Sequence, residues 1–331
     1  MQPEKKHGMI YTQGILQATE PDKSRKTSVA HELLKALLYF DIFHYPLTAK
    51  ELKRFCRVLT TFEEVDYELT LLEKSGYVKQ TRGYFAISTN DIEQLVKRRE
   101  EGSIKAEALL KNAKYYSSLI SYFPFVRGIY LSGSLSKGYA DDKSDVDYFI
   151  ITEPGRLWIC RMMLVLFKRL FLFNSHKYFC VNYFVDSNSL EIHDINIFTA
   201  TELATLVPVC NLSLYHKLMQ ANPWVKEYFP NTLLQTVSAD NIPNNNSWIK
   251  KGIEKLFIGK IGDKLDDIYL RITVGKWKKK FKNLSEPEFE LNLRSRKNTS
   301  KHHPQGFQLK VEAAFRQKIS EFEQKFEITL D

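Results

Sequence analysis

The stretch that most constrains this chain is Leu131–Ile151, LSGSLSKGYADDKSDVDYFII, because it puts two aspartates one residue apart at the head of an apolar run. A first apolar run, Ile129-Tyr130-Leu131, leads into a Gly133-Ser134 turn. After ten intervening residues Asp145-Val146-Asp147 opens the second run. Side chains alternate along a strand, so Asp145 and Asp147 are expected on one face with their carboxylates side by side. Two such groups repel unless cations neutralise them, and hard oxygen donors suit Mg²⁺, which also takes phosphate oxygens as ligands. Gly133 lets the backbone turn sharply and approach a ligand closely. Ser134 reads as the start of a helix whose free N–H groups favour phosphate, and Lys137 adds a positive charge. Asp141 and Asp142 read as hydrated loop residues.

The Gly133-Ser134 corner, followed by Ser144-Asp145-Val146-Asp147 between two strand-like runs, resembles the signature of the polymerase-beta-like nucleotidyltransferase superfamily. The resemblance covers about a hundred residues once flanking elements are included. It implies a nucleoside triphosphate held at Gly133 and Ser134, and Lys137 and Ser144 are grouped with that nucleotide site. Ser144 is included because a serine often precedes the acidic pair in such proteins. It further implies that Asp145 and Asp147 are the catalytic pair and hold Mg²⁺, as two ions. An acceptor hydroxyl would then attack the α-phosphorus and expel pyrophosphate.

Competent members of that superfamily bring a third carboxylate on a later strand. Here the third strand, Tyr178–Val185, offers Asn182 at the position alternation favours, and an amide carries no charge. Asp186, Glu191 and Asp194 remain as substitutes. Glu191 is the preferred third metal ligand because it interrupts an apolar run in LEIHDINIF.

The rest of the chain frames this core in a mixed α/β (α+β) fold. Residues 1–27 read as a flexible arm, and their polarity gives no secretory signal. Residues 28–89 carry three helical patterns and a hairpin, with capping boxes at Thr48-x-x-Glu51 and Thr61-x-x-Glu64. That order resembles a winged helix-turn-helix. The helix that would enter a DNA groove carries Glu63, Glu64, Asp66, Glu68 and Glu73 against Lys74, so phosphate would repel it and a protein partner is the favoured reading. Residues 90–237 form the transferase-like domain behind a long leading helix. Residues 238–247, SADNIPNNNS, read as a linker, and residues 248–331 as a basic helical region.

Charge is concentrated at that end. Lys250–Lys310 holds sixteen Lys and Arg against seven Asp and Glu, the whole of the formal excess of +9. Lysines 276, 278, 279, 280 and 282 flank Trp277 and Phe281, a pattern that suits nucleic acid or another polyanion. His302 and His303 are adjacent and read as surface histidines. The apolar stretch Leu157–Phe173 contains Arg161, Lys168 and Arg169 and is expected to be a buried helix rather than a membrane span. Four dispersed cysteines fit a reducing compartment, and a cytoplasmic location is expected. Walker A, GxGxxG, HExxH and GxSxG patterns are absent from the sequence. Two functional readings follow. One is a Mg²⁺-dependent nucleotidyltransferase of unidentified acceptor. The other is a non-enzymatic nucleotide-sensing or nucleic-acid-binding regulator with a degenerate transferase-like domain.

Overall fold

The computed structural model describes residues 28–173, 175, 177–234 and 247–330. The arm expected over 1–27, and the expected linker except for Ser247, lie outside the described residues. The chain divides into two units, one built from Met1–Val96, Phe229–Asn231 and Ala313–Asp331, the other from Lys97–Tyr228 and Thr232–Glu312.

In the first unit, α1 (Val29–Asp41), β1 (Leu47–Thr48), α2 (Ala49–Phe55), α3 (Phe62–Lys74), β2 (Val78–Thr81) and β3 (Tyr84–Ile87) follow in order. Both capping boxes form. Thr48 and Thr61 accept from the N–H of Glu51 and Glu64, whose carboxylates bond back to the cap residues. Leu33, Leu34, Leu52, Val65, Leu69 and Leu72 are essentially fully buried, as the i, i+3, i+4 spacing requires. The three strands pair antiparallel in the order β1-β3-β2. The unit is closed by a segment from the far end of the chain: Phe315 meets Tyr39 edge-on, Phe322 and Phe326 pack on Tyr77, and Lys318 pairs with Asp41 at 2.7 Å.

The second unit takes most of α4 (Ile92–Ser121) and then β4 (Val126–Ser132), β5 (Asp147–Thr152), α5 (Leu157–Phe171), β6 (Cys180–Asp186), α6 (Ile197–Thr205), β7 (Val207–Cys210), α7 (Leu212–Ala221) and α8 (Trp224–Tyr228). Next come α9 (Trp248–Leu256), α10 (Gly259–Lys280), α11 (Glu286–Asn292), β8 (Ser295–Arg296), β9 (Thr299–Lys301) and the start of α12 (Phe307–Phe326). Its six strands run β7-β4-β5-β6-β9-β8, antiparallel throughout except for the parallel pair β5 and β6. Ile129, Leu131, Tyr148 and Ile150 form one core with Ala113 of α4 and Leu164 of α5. Tyr130, Phe149 and Tyr183 form an aromatic cluster with Tyr215 of α7.

α4 is one continuous helix through Gly102, whose missing Cβ leaves room for the Tyr139 ring. Pro208 sits in β7, an edge strand of the sheet, where a residue without an N–H is tolerated. The stretch around Arg294–Pro304 contributes β8 and β9 to the sheet.

The long apolar segment is α5, whose N-terminal Trp158 and Ile159 N–H groups donate to the fully buried Asp266 of α10 at 2.8 and 2.9 Å. A carboxylate there satisfies two otherwise orphaned donors and complements the helix dipole. No helix among the described residues is long and apolar enough to cross a membrane. All four cysteines are free and buried.

Candidate functional site

Val146 fixes the orientation of the acidic pair. It is completely buried, its N–H donates to Lys177 O at 2.9 Å, and its carbonyl accepts from Cys180 N at 3.1 Å. With Val146 turned into the core, Asp145 and Asp147 point together into a cavity of about 450 Å³ that both of them line. Asp147 heads β5 between two register partners, Ser132 of β4 and Cys180 of β6. Donor atoms of Asp145, Asp147 and the Cys180 thiol lie within 4.8 Å of one another.

The Gly133 corner abuts this pair. Gly133 has φ +67°, and a Cβ built on it would stand 2.5 Å from Asp147 Oδ2. Only glycine therefore serves both the backbone turn and the approach to the carboxylate. The helix expected to begin at Ser134 is a single 3-10 turn, Leu135–Lys137, so the corner supplies isolated N–H groups rather than a helix terminus.

Electrostatics mark Asp147 out. Burial pushes its carboxyl up to about 7, and the charges of Asp145 and Glu202 add to the rise, while hydrogen bonds from Cys180 and Asn182 oppose it. Asn182 Nδ2 donates to Asp147 Oδ1 at 2.9 Å, so the amide that stands in the third-carboxylate position supports one member of the acidic pair. The Cys180 thiol is itself pushed up by burial and by the two aspartates.

Glu191, expected as the third metal ligand, is not at this site. Its side chain is 67% exposed and lies 3.6 Å from His193, at a different cavity. The segment around it is irregular rather than a strand, so the apolar run that Glu191 interrupts does not carry its carboxylate to the acidic pair. Asp186 is buried at the end of β6 and accepts from Asn188 N, away from the cavity. Asp194 does line the cavity, but it is neutralised by Arg294 at 2.8 Å and Lys301 at 3.0 Å. Ser144 is turned away; its hydroxyl bonds to Asp141 in a local turn. Asp142 pairs with Lys105 at 2.6 Å.

The carboxylate the sequence reading missed is Glu202 of α6. Its Oε2 accepts from Gly133 N at 3.1 Å and its Oε1 from Lys137 Nζ at 2.8 Å. Glu202 thus holds the two donors expected to receive phosphate oxygens. Nothing local flags it, since a single acid in an amphipathic helix looks like any solvated residue; only the chain's return to the sheet brings it to Gly133.

His302 and His303, expected on the surface, both line the cavity. Burial holds His302 down to about 3 and His303 to about 4, helped by the Arg161 cation beside His302 and the Lys301 cation beside His303. Both are neutral near pH 7. Phe198 and Phe307 meet edge-on, with ring centroids 5.8 Å apart, and line the cavity with Tyr183 and Asn292.

The donor set fits a hard divalent cation at its two carboxylates, and the Cys180 sulphur is a soft donor that such an ion does not require. Comparison of the chain with protein-family models, with curated proteins and with solved structures found no match.

Proposed function

We propose that this protein is a Mg²⁺-dependent nucleotidyltransferase that moves a nucleoside monophosphate from a nucleoside triphosphate to an acceptor hydroxyl, releasing pyrophosphate. The observation that carries the reading is the pairing of Asp145 and Asp147 in one cavity directly against a glycine corner that admits no side chain. A divalent cation held by the two aspartates would supply charge neutralisation at the phosphates. Asp147, pushed up to about 7 by burial and by Asp145, is poised so that a bound cation favours its ionised form. Asn182 fixes the orientation of that carboxylate. Glu202 covers the Gly133 N–H and the Lys137 ammonium until a phosphate displaces it.

The test is pyrophosphate release on incubation with Mg²⁺ and each nucleoside triphosphate. Asp145→Asn and Asp147→Asn should each abolish release, a loss of at least about a thousandfold for removing a charge used at the reacting phosphate. Circular dichroism should remain that of the wild type. Turnover retained in either variant would overturn the proposal. Binding of nucleotide without release would favour the second reading, a nucleotide sensor, which the capture of both phosphate donors by Glu202 supports.

Partners follow from charge. Lys276, Lys279 and Lys282 are exposed along and just beyond the end of α10, and they are proposed as a contact for single-stranded nucleic acid or another polyanion. Trp277 takes no part in it, being buried against Arg161 and His302. The N-terminal unit is proposed as a winged-helix-like protein-interaction module, because exposed acids on α3 would repel phosphate.

A further inference from the structure

Arg161 is an anomaly in the second unit. It projects from α5 and is 9% exposed. Its guanidinium lies 4.7 Å from the Trp277 ring centroid, 5.8 Å from that of Trp158 and 5.9 Å from that of Phe184. Nε is sealed from solvent with no hydrogen-bond partner, and no hydrogen bond or ion pair joins the guanidinium to any described residue. The charged groups that bear on it add to the problem. Arg169 and the buried Lys168 come from the same helix, Lys168 two turns on from Arg161 and so on the same face, and Lys280 of α10 lies 5.2 Å from the centroid of the Phe281 ring, which meets His302 edge-on at 6.1 Å. His302 itself is held neutral.

A cation removed from water is costly unless an anion meets it, and aromatic faces return only part of that cost. The fork of guanidinium donors matches the oxygens of a phosphoryl group, and the three rings around it restrict where it can swing. The place is also apt. Lys168 feels Asp145 and Cys180 as well as Arg161, and His302, whose ring lies tilted against Trp277 at 4.7 Å, lines the carboxylate cavity.

We propose that Arg161, with Lys168 and Lys280, forms a site for a phosphoryl dianion adjoining the Asp145–Asp147 cavity but distinct from the Gly133 corner. The site is independent of catalysis, because the side chains that form it are not those that would hold the metal. It extends the nucleotidyltransferase reading by giving a second phosphoryl group a place, on the acceptor or on the nucleotide's own tail.

The experiment is calorimetric titration of the full chain with inorganic phosphate, in chloride buffer of matched ionic strength, without divalent cation or nucleotide. Saturable binding is expected. Arg161→Met should weaken it roughly tenfold or more, and the exposed Lys280→Gln by about two- to threefold. Asp147→Asn should leave it unchanged, so failure of the transferase reading and failure of this one give different results. Thermal melting controls for folding. In chloride, Arg161→Met should melt at or above the wild type, since it exchanges an unpaired buried charge for an apolar side chain of similar length. In phosphate, only the wild type should gain. If the variant melts well below the wild type in chloride and phosphate stabilises both equally, Arg161 is a packing residue and the site does not exist. Displacement of phosphate by a non-hydrolysable nucleoside triphosphate would identify the nucleotide's tail as the source, and simultaneous binding would identify the acceptor. No phosphate binding by the wild type removes the proposal.

Discussion

Asp147 carries the clearest consequence at the scale of single residues. Its folded-state carboxyl titrates near 7, far above an unfolded aspartate near 3.8, chiefly through burial. Between those values the folded protein holds a proton that the unfolded chain has lost, so without a divalent cation stability falls as pH rises from about 4 to about 7. Asp147→Asn should remove most of that slope and raise cation-free stability at pH 8 by roughly 2–4 kcal/mol, allowing for solvent that reaches the cavity. Denaturant melts at pH 5 and pH 8 check it, and an unchanged slope would refute the assignment. Glu202 gives a second outcome. Because its carboxylate occupies Gly133 N and Lys137 Nζ, Glu202→Ala should tighten nucleotide binding several-fold, about 1 kcal/mol of recovered charge-assisted bonding. Equilibrium binding of a labelled nucleotide reads it directly, and weaker binding would show Glu202 to be a ligand rather than a competitor. The acidic pair and Gly133 were legible in the sequence because strand alternation and the absence of a Cβ are local properties. Glu202, Cys180 and the two histidines were not, because their role depends on which strands lie beside β5.

Among the elements, local chemistry and long-range pairing separate cleanly. Thr61 illustrates the first: its capping box with Glu64 was legible as four letters and forms as written, with Thr60 Oγ1 adding a hydrogen bond to Glu64 at 2.8 Å. Thr61→Ala should cost about 1 kcal/mol of stability, measurable as a lower denaturation midpoint at unchanged slope. The second is illustrated by β7, β8 and β9. They are two to four residues long, too short to show period-two patterning, and β7 and β9 pair with β4 and β6, strands far away in the chain. Pro208 signals only a helix end when read alone. The basic stretch after Ser247 was legible as helical, but not its division into α9 and α10 at Phe257-Ile258, where Gly259 takes φ +69°.

Over the whole molecule, charge is the property most plainly visible in the sequence and the one least tied to fold. The excess between Lys250 and Lys310 is spread over α9, α10 and the β8–β9 hairpin, while α11 between them carries only acids. Several of those charges are already engaged: Lys250 donates to Ser121 and Val126 carbonyls, Lys297 pairs with Asp267, and Lys301 with Asp194. Formal counting therefore overstates what a polyanion meets. Neutralising the exposed Lys276, Lys279 and Lys282 to Gln should reduce the salt dependence of single-stranded RNA binding by a slope of about 2 on a log–log plot. An unaltered slope would move the contact elsewhere.

The β8–β9 hairpin has a consequence for how the protein comes into being. It supplies the strand beside β6, and the residues that follow it, His302, His303 and Phe307, form one wall of the cavity whose other wall begins at Ser132. On the ribosome, the acidic pair emerges some 150 residues before that wall exists. A nascent chain can build the glycine corner early, yet it has no enclosed chamber until the hairpin and the residues after it have been made. Premature termination anywhere before the hairpin leaves β6 as an unprotected edge, open to pairing with another chain.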